Sequence, residues 1–141
     1  MKKIAALLIF IILFSCNSTS TTSVVKPLYE VLTEQSDGGG NIRFYEILTE
    51  SNEIKMLEND EKLRKKIKAD DIKNSNFIIL NMGEKKSDGC LIRVKSVEET
   101  ADKIIVTIID QEPKNLNALS SESRFPYTIV KINSKKEIVI K

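Results

Sequence analysis

From about residue 28 onward, apolar residues recur at every second position or run together in short blocks, a pattern that predicts β-strands. Phe77-Ile78-Ile79-Leu80-Asn81-Met82 is such a block, closed by Gly83, and reads as a buried strand. Cys90 to Val97 alternates, placing Cys90, Ile92 and Val94 on one face and Leu91, Arg93 and Lys95 on the other. A polar turn over 98–102 returns the chain into Lys103 to Asp110, so the two segments form an antiparallel hairpin. Its second strand is apolar on both faces, which predicts a central strand covered on each side. Tyr127 to Ile132, a tight turn at Asn133-Ser134-Lys135, and Glu137 to Ile140 read as a closing hairpin. Pro126 has no backbone donor and belongs at a strand start, an edge or a bulge.

The first half reads differently. Leu28 to Thr33 and Ile42 to Leu48 look like strands on either side of a glycine turn, Asp37-Gly38-Gly39-Gly40. Between Asn52 and Lys68 the chain is rich in charge, with Ile54, Leu57, Leu63 and Ile67 at roughly helical spacing and Ser51 as an N-cap. Asn59-Asp60 is a point at which this helix can divide in two. The expected fold class is α+β: a mostly antiparallel β-sheet or small β-sandwich with one helical connection. Residues 28–141 are expected to form one globular domain, since a chain of that length buries roughly two-thirds of its unfolded surface without metals or disulfides.

The N-terminus has another character. Met1-Lys2-Lys3 precedes eleven unbroken apolar residues, Ile4 to Phe14. Eleven residues rise only about 16 Å as a helix, half the hydrocarbon core of a bilayer, so the segment predicts a signal peptide and not a span. Leu13-Phe14-Ser15-Cys16 resembles the lipobox of bacterial lipoproteins, in which the thiol is acylated and the chain is cut just before it. Residues 1–16 would then be a lipoprotein signal peptide, with Cys16 the lipidation site. Residues 17–27, opening with Asn17-Ser18-Thr19-Ser20-Thr21-Thr22-Ser23, would be a disordered tether. Two or more acyl chains, palmitate among them, hold a protein essentially permanently on a membrane, which implies the bacterial cell envelope, on the periplasmic face or the cell surface.

Composition removes several classes of function. Without Lys2 and Lys3 the 22 Lys and Arg fall to 20, matching the 20 Asp and Glu. A neutral mature chain offers no field for nucleic acid. There is no histidine. That absence removes the commonest general base, the usual zinc ligand and any Cys-His or Ser-His pair. With Cys16 acylated, Cys90 is the remaining thiol, and its place on an apolar strand face predicts a buried core residue. The loop Gly83-Glu84-Lys85-Lys86-Ser87-Asp88-Gly89-Cys90 is the candidate site. A Ser87–Lys85 or Ser87–Lys86 dyad would need a lysine desolvated by burial, whereas two adjacent lysines on a loop tip are solvated. Asp70-Asp71, Glu98-Glu99 and Glu58/Asp60/Glu61 read as solvated charge. Asp37-Gly38-Gly39-Gly40-Asn41 is followed by no helix and no P-loop lysine, so it is not a phosphate cradle.

The segment from about Asn76 to Ile140 resembles the C-terminal domain of the PrcB family, named for a subunit of a protease complex. The likeness rests on an apolar strand running into Met82-Gly83-Glu84-Lys85-Lys86, then Ile92-Arg93-Val94-Lys95-Ser96-Val97-Glu98-Glu99, the strand Ile104 to Ile109, a loop with Pro113, and Phe125-Pro126-Tyr127-Thr128-Ile129-Val130-Lys131-Ile132. Ser36-Asp37-Gly38-Gly39-Gly40 is similar to a turn found upstream in members of the group. Where the family typically has Thr-Gly-Gly-Tyr, this chain has Ser87-Asp88-Gly89-Cys90, which removes one glycine and the aromatic.

The resemblance implies a non-catalytic accessory role with no cofactor: a lipid-anchored module that binds a protein partner, an exported protease or its assembly. Lys85, Lys86, Ser87, Asp88 and Gly89, with Phe125 and Tyr127, are the candidate partner-binding residues. An exposed apolar patch is expected at Phe125, Tyr127 or around Leu116-Asn117-Ala118-Leu119. Two alternatives stand beside this reading. One is a secreted peptidase inhibitor of the chagasin type, which would project Lys85–Asp88 and Arg124–Tyr127 at the same end of the domain; the chain lacks that group's Asn-Pro-Thr-Thr-Gly signature. The other is a structural envelope lipoprotein with no discrete site.

Overall fold

A computed structural model describes residues 26–114 and 119–141. The leader, Cys16, the tether up to Val25 and Leu116-Asn117-Ala118 lie outside the described residues. Nine strands are described: β1 (Tyr29–Gln35), β2 (Phe44–Leu48), β3 (Asn76–Asn81), β4 (Lys85–Ser87), β5 (Leu91–Glu99), β6 (Lys103–Gln111), β7 (Leu119–Arg124), β8 (Tyr127–Ile132) and β9 (Glu137–Ile140). Between β2 and β3 run α1 (Ser51–Met56), a 3-10 turn (Leu57–Asn59), α2 (Glu61–Arg64) and α3 (Ala69–Asn74). The architecture is α+β and mostly antiparallel, as expected.

The most apolar segment, β3, lies inside the larger sheet, whose order is β1-β8-β3-β2 and whose pairs are all antiparallel. Period-2 alternation then splits its side chains between two cores. Ile78 and Leu80 join Val130 and Ile132 of β8, and meet Ile92, Ile104, Val106 and Ile138 of a second sheet, β5-β6-β9. Phe77 and Ile129 face the other way, onto Ile54, Leu63, Ile67 and Ile72 of the helical layer. The result is helices over a sheet over a second sheet, with a two-stranded ribbon, β4–β7, at one corner.

Two bulges depart from strict alternation, and both matter. Val31 pairs with Val130 and Thr33 with Ile129, leaving Leu32 as an extra residue in β1. Leu32 stays in the helix-side core while Thr33 and Gln35 take the helix side beyond it, and Glu34 turns to the other face, where it binds Arg93 of β5 at 2.6 and 2.8 Å. In β5 the shift falls at Lys95, so Val97, and not Ser96, joins Val94 against the core. Cys90, Ile92 and Val94 do share the inner face.

Four expectations need correction. The closing hairpin does not form. Both hydrogen-bonding edges of β8 are taken by β1 and β3, so after the turn β9 crosses to the second sheet and pairs in parallel with β6, Lys103 opposite Glu137 through Val106 opposite Ile140. β6 is central, yet only its inner face is covered: Ile104 and Val106 are buried and Ile109 is half exposed. The helical segment does break at Asn59-Asp60, because Asp60 turns its carboxylate back onto the N–H groups of Lys62 and Leu63 at 2.7 and 3.2 Å and caps α2. The cap of α1, however, is Glu50, whose N–H donates to Glu53 at 3.2 Å, and Ser51 is the first helical residue.

Last, Asp70-Asp71 is not a solvated pair. Both lie in α3, where Asp71 is 2% exposed. It accepts from Lys68 N–H at 3.0 Å and from the ammonium of Lys131 at 3.2 Å, while Glu30 holds the same ammonium at 2.9 Å. A helical turn can aim one of two adjacent acids inward, and a buried lysine on β8 requires it. Burial pushes the Lys131 ammonium down, but the bonds to Glu30 and Asp71 outweigh it and hold the group above the usual lysine value.

Candidate protein-binding site

The segment Gly83–Gly89, expected as a solvated loop tip, carries strand β4 of the β4–β7 ribbon at Lys85–Ser87, with Lys85 opposite Arg124 and Ser87 opposite Leu119. It leaves the buried end of β3 through Gly83, whose φ of +81° permits the turn and where a Cβ would come within 2.9 Å of the Arg43 nitrogen. On the ribbon the cations are paired. Lys85 meets Glu112 at 3.0 Å, and Lys86 meets Glu84 at 2.9 Å and the Ser123 hydroxyl at 2.7 Å. The Ser123 hydroxyl donates to Glu84, and this bond, followed by the one from Lys86, lowers the Glu84 carboxyl below its ordinary value. Arg124 donates to Asp88 at 2.8 Å, the bond that chiefly raises its guanidinium above the ordinary arginine value, and lies 3.7 Å from Asp37. The surface is therefore a lattice of alternating charge and not a basic patch.

Asp37 joins this lattice to the glycine turn. Its carboxylate accepts from Phe125 N–H at 3.0 Å, and Gly39 N–H donates to the Phe125 carbonyl at 2.8 Å. Beneath the turn lies Asn81, 1% exposed, the polar residue inside the apolar run of β3. Its amide accepts from Gly40 N–H at 2.8 Å and donates to the carbonyls of Gly40 and Ile42 at 2.8 and 2.6 Å. The fit leaves no room for a side chain at position 39, where a Cβ would sit 2.2 Å from the Asn81 carbonyl oxygen and 2.8 Å from the Phe125 carbonyl.

Phe125 and Tyr127 flank Pro126 at the entry to β8, and both are half-buried. Tyr127 packs under Gly38 and Gly39. It also lines a cleft of about 350 Å³ with Thr33, Gln35, Asp37, Asp60 and Leu63, where burial first and Asp60 second push its phenol up. Thus Lys85, Lys86, Ser87, Asp88 and Gly89 lie on the ribbon, Phe125 at its junction with the glycine turn, and Tyr127 around the corner in the cleft. Asp37, Asn81 and Asp60 complete this corner, although the sequence did not place them among the partner-binding residues. The signal for Asp37 was the Ser36–Gly40 turn. Asn81 carried none beyond being the one polar residue of its run.

Neither candidate for nucleophilic chemistry is activated. Cys90 is buried; desolvation first, then Glu112, pushes its thiol up, against the influence of Lys85 and of a hydrogen bond with Ser87. Lys85 and Lys86 each hold a carboxylate. The large hydrophobic side chains exposed among the described residues are elsewhere: Val31, Ile42, Phe44, Tyr45, Met56 and Ile109.

Among family models, the one described as PrcB C-terminal matches residues 76–133. Comparison with curated proteins and with solved structures finds no match. The matched stretch begins at the first residue of β3 and ends just past β8, so it omits β9 and everything before β3. It supplies the two central strands of the four-stranded sheet, while β1 and β2, outside the match, form its edges.

Proposed function

Residues 76–133 belong to the PrcB C-terminal family, and on that premise we propose that the chain is a protein-binding accessory subunit of an exported protease, held on the bacterial cell envelope by a lipid on Cys16. The family match is the observation that carries this reading, since the name PrcB belongs to a protease-complex subunit. The corner built from the β4–β7 ribbon, Phe125 and the glycine turn supports it. Its side chains are cross-linked by hydrogen bonds and ion pairs, so little ordering entropy is lost on docking. The envelope location rests on the leader Met1 to Cys16 and its lipobox-like end. The neutral charge of the chain after the leader speaks against nucleic acid as a partner.

The test is affinity capture of the full chain from intact membranes after chemical crosslinking, with Cys16→Ser as control. An exported protease recovered in near-stoichiometric amount from the native chain, and lost with Cys16→Ser, is the expected outcome. Recovery of no stoichiometric protein would remove the accessory role. One observation favours a second reading, peptidase inhibition: Lys85–Ser87 and Arg124 lie side by side, with Asp88 bound to Arg124. Titration of a papain-type cysteine peptidase with the chain separates the two, because an inhibitor abolishes turnover at equimolar ratio and an accessory subunit does not.

A further inference from the structure

Four of the six exposed large hydrophobic side chains among the described residues, Ile42, Phe44, Tyr45 and Met56, gather around β2, an edge strand of the larger sheet. Edge strands are ordinarily blunted by bulges, charges, shortness or covering elements, and the other edges of the two larger sheets are. β1 carries the bulge at Leu32, whose carbonyl is also taken by the Lys66 ammonium. β5 carries the bulge at Lys95, and its Ile92 carbonyl accepts from the Thr128 hydroxyl at 2.6 Å. β9 is four residues long. β2 has no bulge over its five residues, and among the described residues its backbone bonds run to β3 alone. Ile42, Phe44 and Tyr45 on and before it are 78%, 40% and 39% exposed, and Met56 beside it is 69% exposed.

The register fixes what this edge presents. Phe44, Glu46 and Leu48 pair with Asn81, Ile79 and Phe77, so they share the helix side of the sheet. There the helices leave a groove of about 250 Å³, lined by Leu48, Ile79, Met56 and Leu57 together with Glu46 and Glu53. A strand added to β2 would set an apolar residue beside Phe44, a residue facing the carboxylate of Glu46, and an apolar residue beside Leu48 over the groove. We propose that the outer edge of β2 is a docking strand for an extended segment of a partner protein with the pattern apolar-x-basic-x-apolar. A second copy of the chain is the poorer occupant, because the antiparallel register that pairs all five residues sets Glu46 against Glu46. This strand edge adjoins the glycine turn at Phe44 but lies off the β4–β7 ribbon, and the proposal does not depend on the accessory role.

The full chain, purified in dodecyl maltoside, is titrated with the fluorescent-labelled peptide Ser-Thr-Val-Thr-Lys-Thr-Val-Thr-Ser and followed by anisotropy and by hydrogen exchange. Saturable binding with protection confined to residues 42–48 and 56–57 is expected. Changing the peptide's lysine to glutamate should weaken binding about threefold to fivefold, and Glu46→Lys in the protein should reverse that preference. N-methylation of the three central peptide bonds should abolish binding. The proposal is overturned by no saturation at millimolar peptide, by equal binding of the N-methylated peptide, by protection centred on the ribbon or the Tyr127 cleft, or by a dimer whose residues 42–48 are protected without peptide.

Discussion

Replacing Asn81 with alanine removes the amide that fastens the glycine turn to the sheet. Three hydrogen bonds disappear, at 2.6 to 2.8 Å, and leave Gly40 N–H and the carbonyls of Gly40 and Ile42 facing a small, poorly hydrated gap. At about 1 kcal/mol net per bond, and more for each group that water does not reach, the loss is about 3 kcal/mol. For a folded region of about 115 residues that corresponds to a fall in Tm of about 12 °C. Calorimetry gives the magnitude and hydrogen exchange the location, since residues 37–42 should lose protection before the β3–β8 centre does. Gly39→Ala provides the cross-check. Its Cβ collides with both the Asn81 oxygen and the Phe125 carbonyl, and Asn81→Ala relieves only the first collision. The double variant should therefore be less destabilised than the sum of the two single variants. A loss below about 1 kcal/mol for Asn81→Ala, or strict additivity, would refute the tethering role.

Lys131→Met should be costly, about 3–5 kcal/mol by chemical denaturation, because it leaves Asp71 buried without its counter-charge. Pairing it with Asp71→Asn should recover part of that loss, and no recovery would count against the ion pair. As the Lys131 ammonium is held above its ordinary value, the native state keeps its proton where the unfolded chain has lost it. Its contribution is complete below the ordinary lysine range and declines as pH rises through and beyond it, so unfolding curves at pH 7 and pH 9 should show no loss from this group while those above about pH 10 should. The Cys90 thiol, in the Cys16→Ser chain, should react with a disulfide reagent at pH 8 only on unfolding. Rapid labelling of the native protein would contradict its burial.

Much of the sheet was legible because burial writes itself into alternation. The burial of β3, the inner face Cys90-Ile92-Val94 and the β5–β6 hairpin all follow from where apolar residues stand. Beyond that hairpin, pairing partners were not legible. Tyr127–Ile132 and Glu137–Ile140 are both β-rich and joined by a short turn, so local pattern favoured a hairpin, and only competition from β1 and β3 for the edges of β8 sends β9 to another sheet. Bulges were equally hidden, since one extra residue at Leu32 or Lys95 leaves composition unchanged while exchanging faces. α3 was missed because six residues carry too little period to register, and with it the inward turn of Asp71. At the candidate site the sequence located the segments but not their joinery: Lys85, Lys86, Asp88 and Phe125 gain meaning from Glu112, Ser123, Arg124 and Asp37, which lie 27, 37, 36 and 88 residues away along the chain.

The most direct test of the binding role is site-specific photocrosslinking in intact cells, with a benzophenone side chain at Lys86 on the ribbon and, for comparison, at Asp102 in the turn at the far end of β5. We expect a single discrete adduct containing an exported protease from position 86 and none from position 102. Adducts from neither position, or equal adducts from both, would contradict the assignment of the ribbon corner as the protein-binding site.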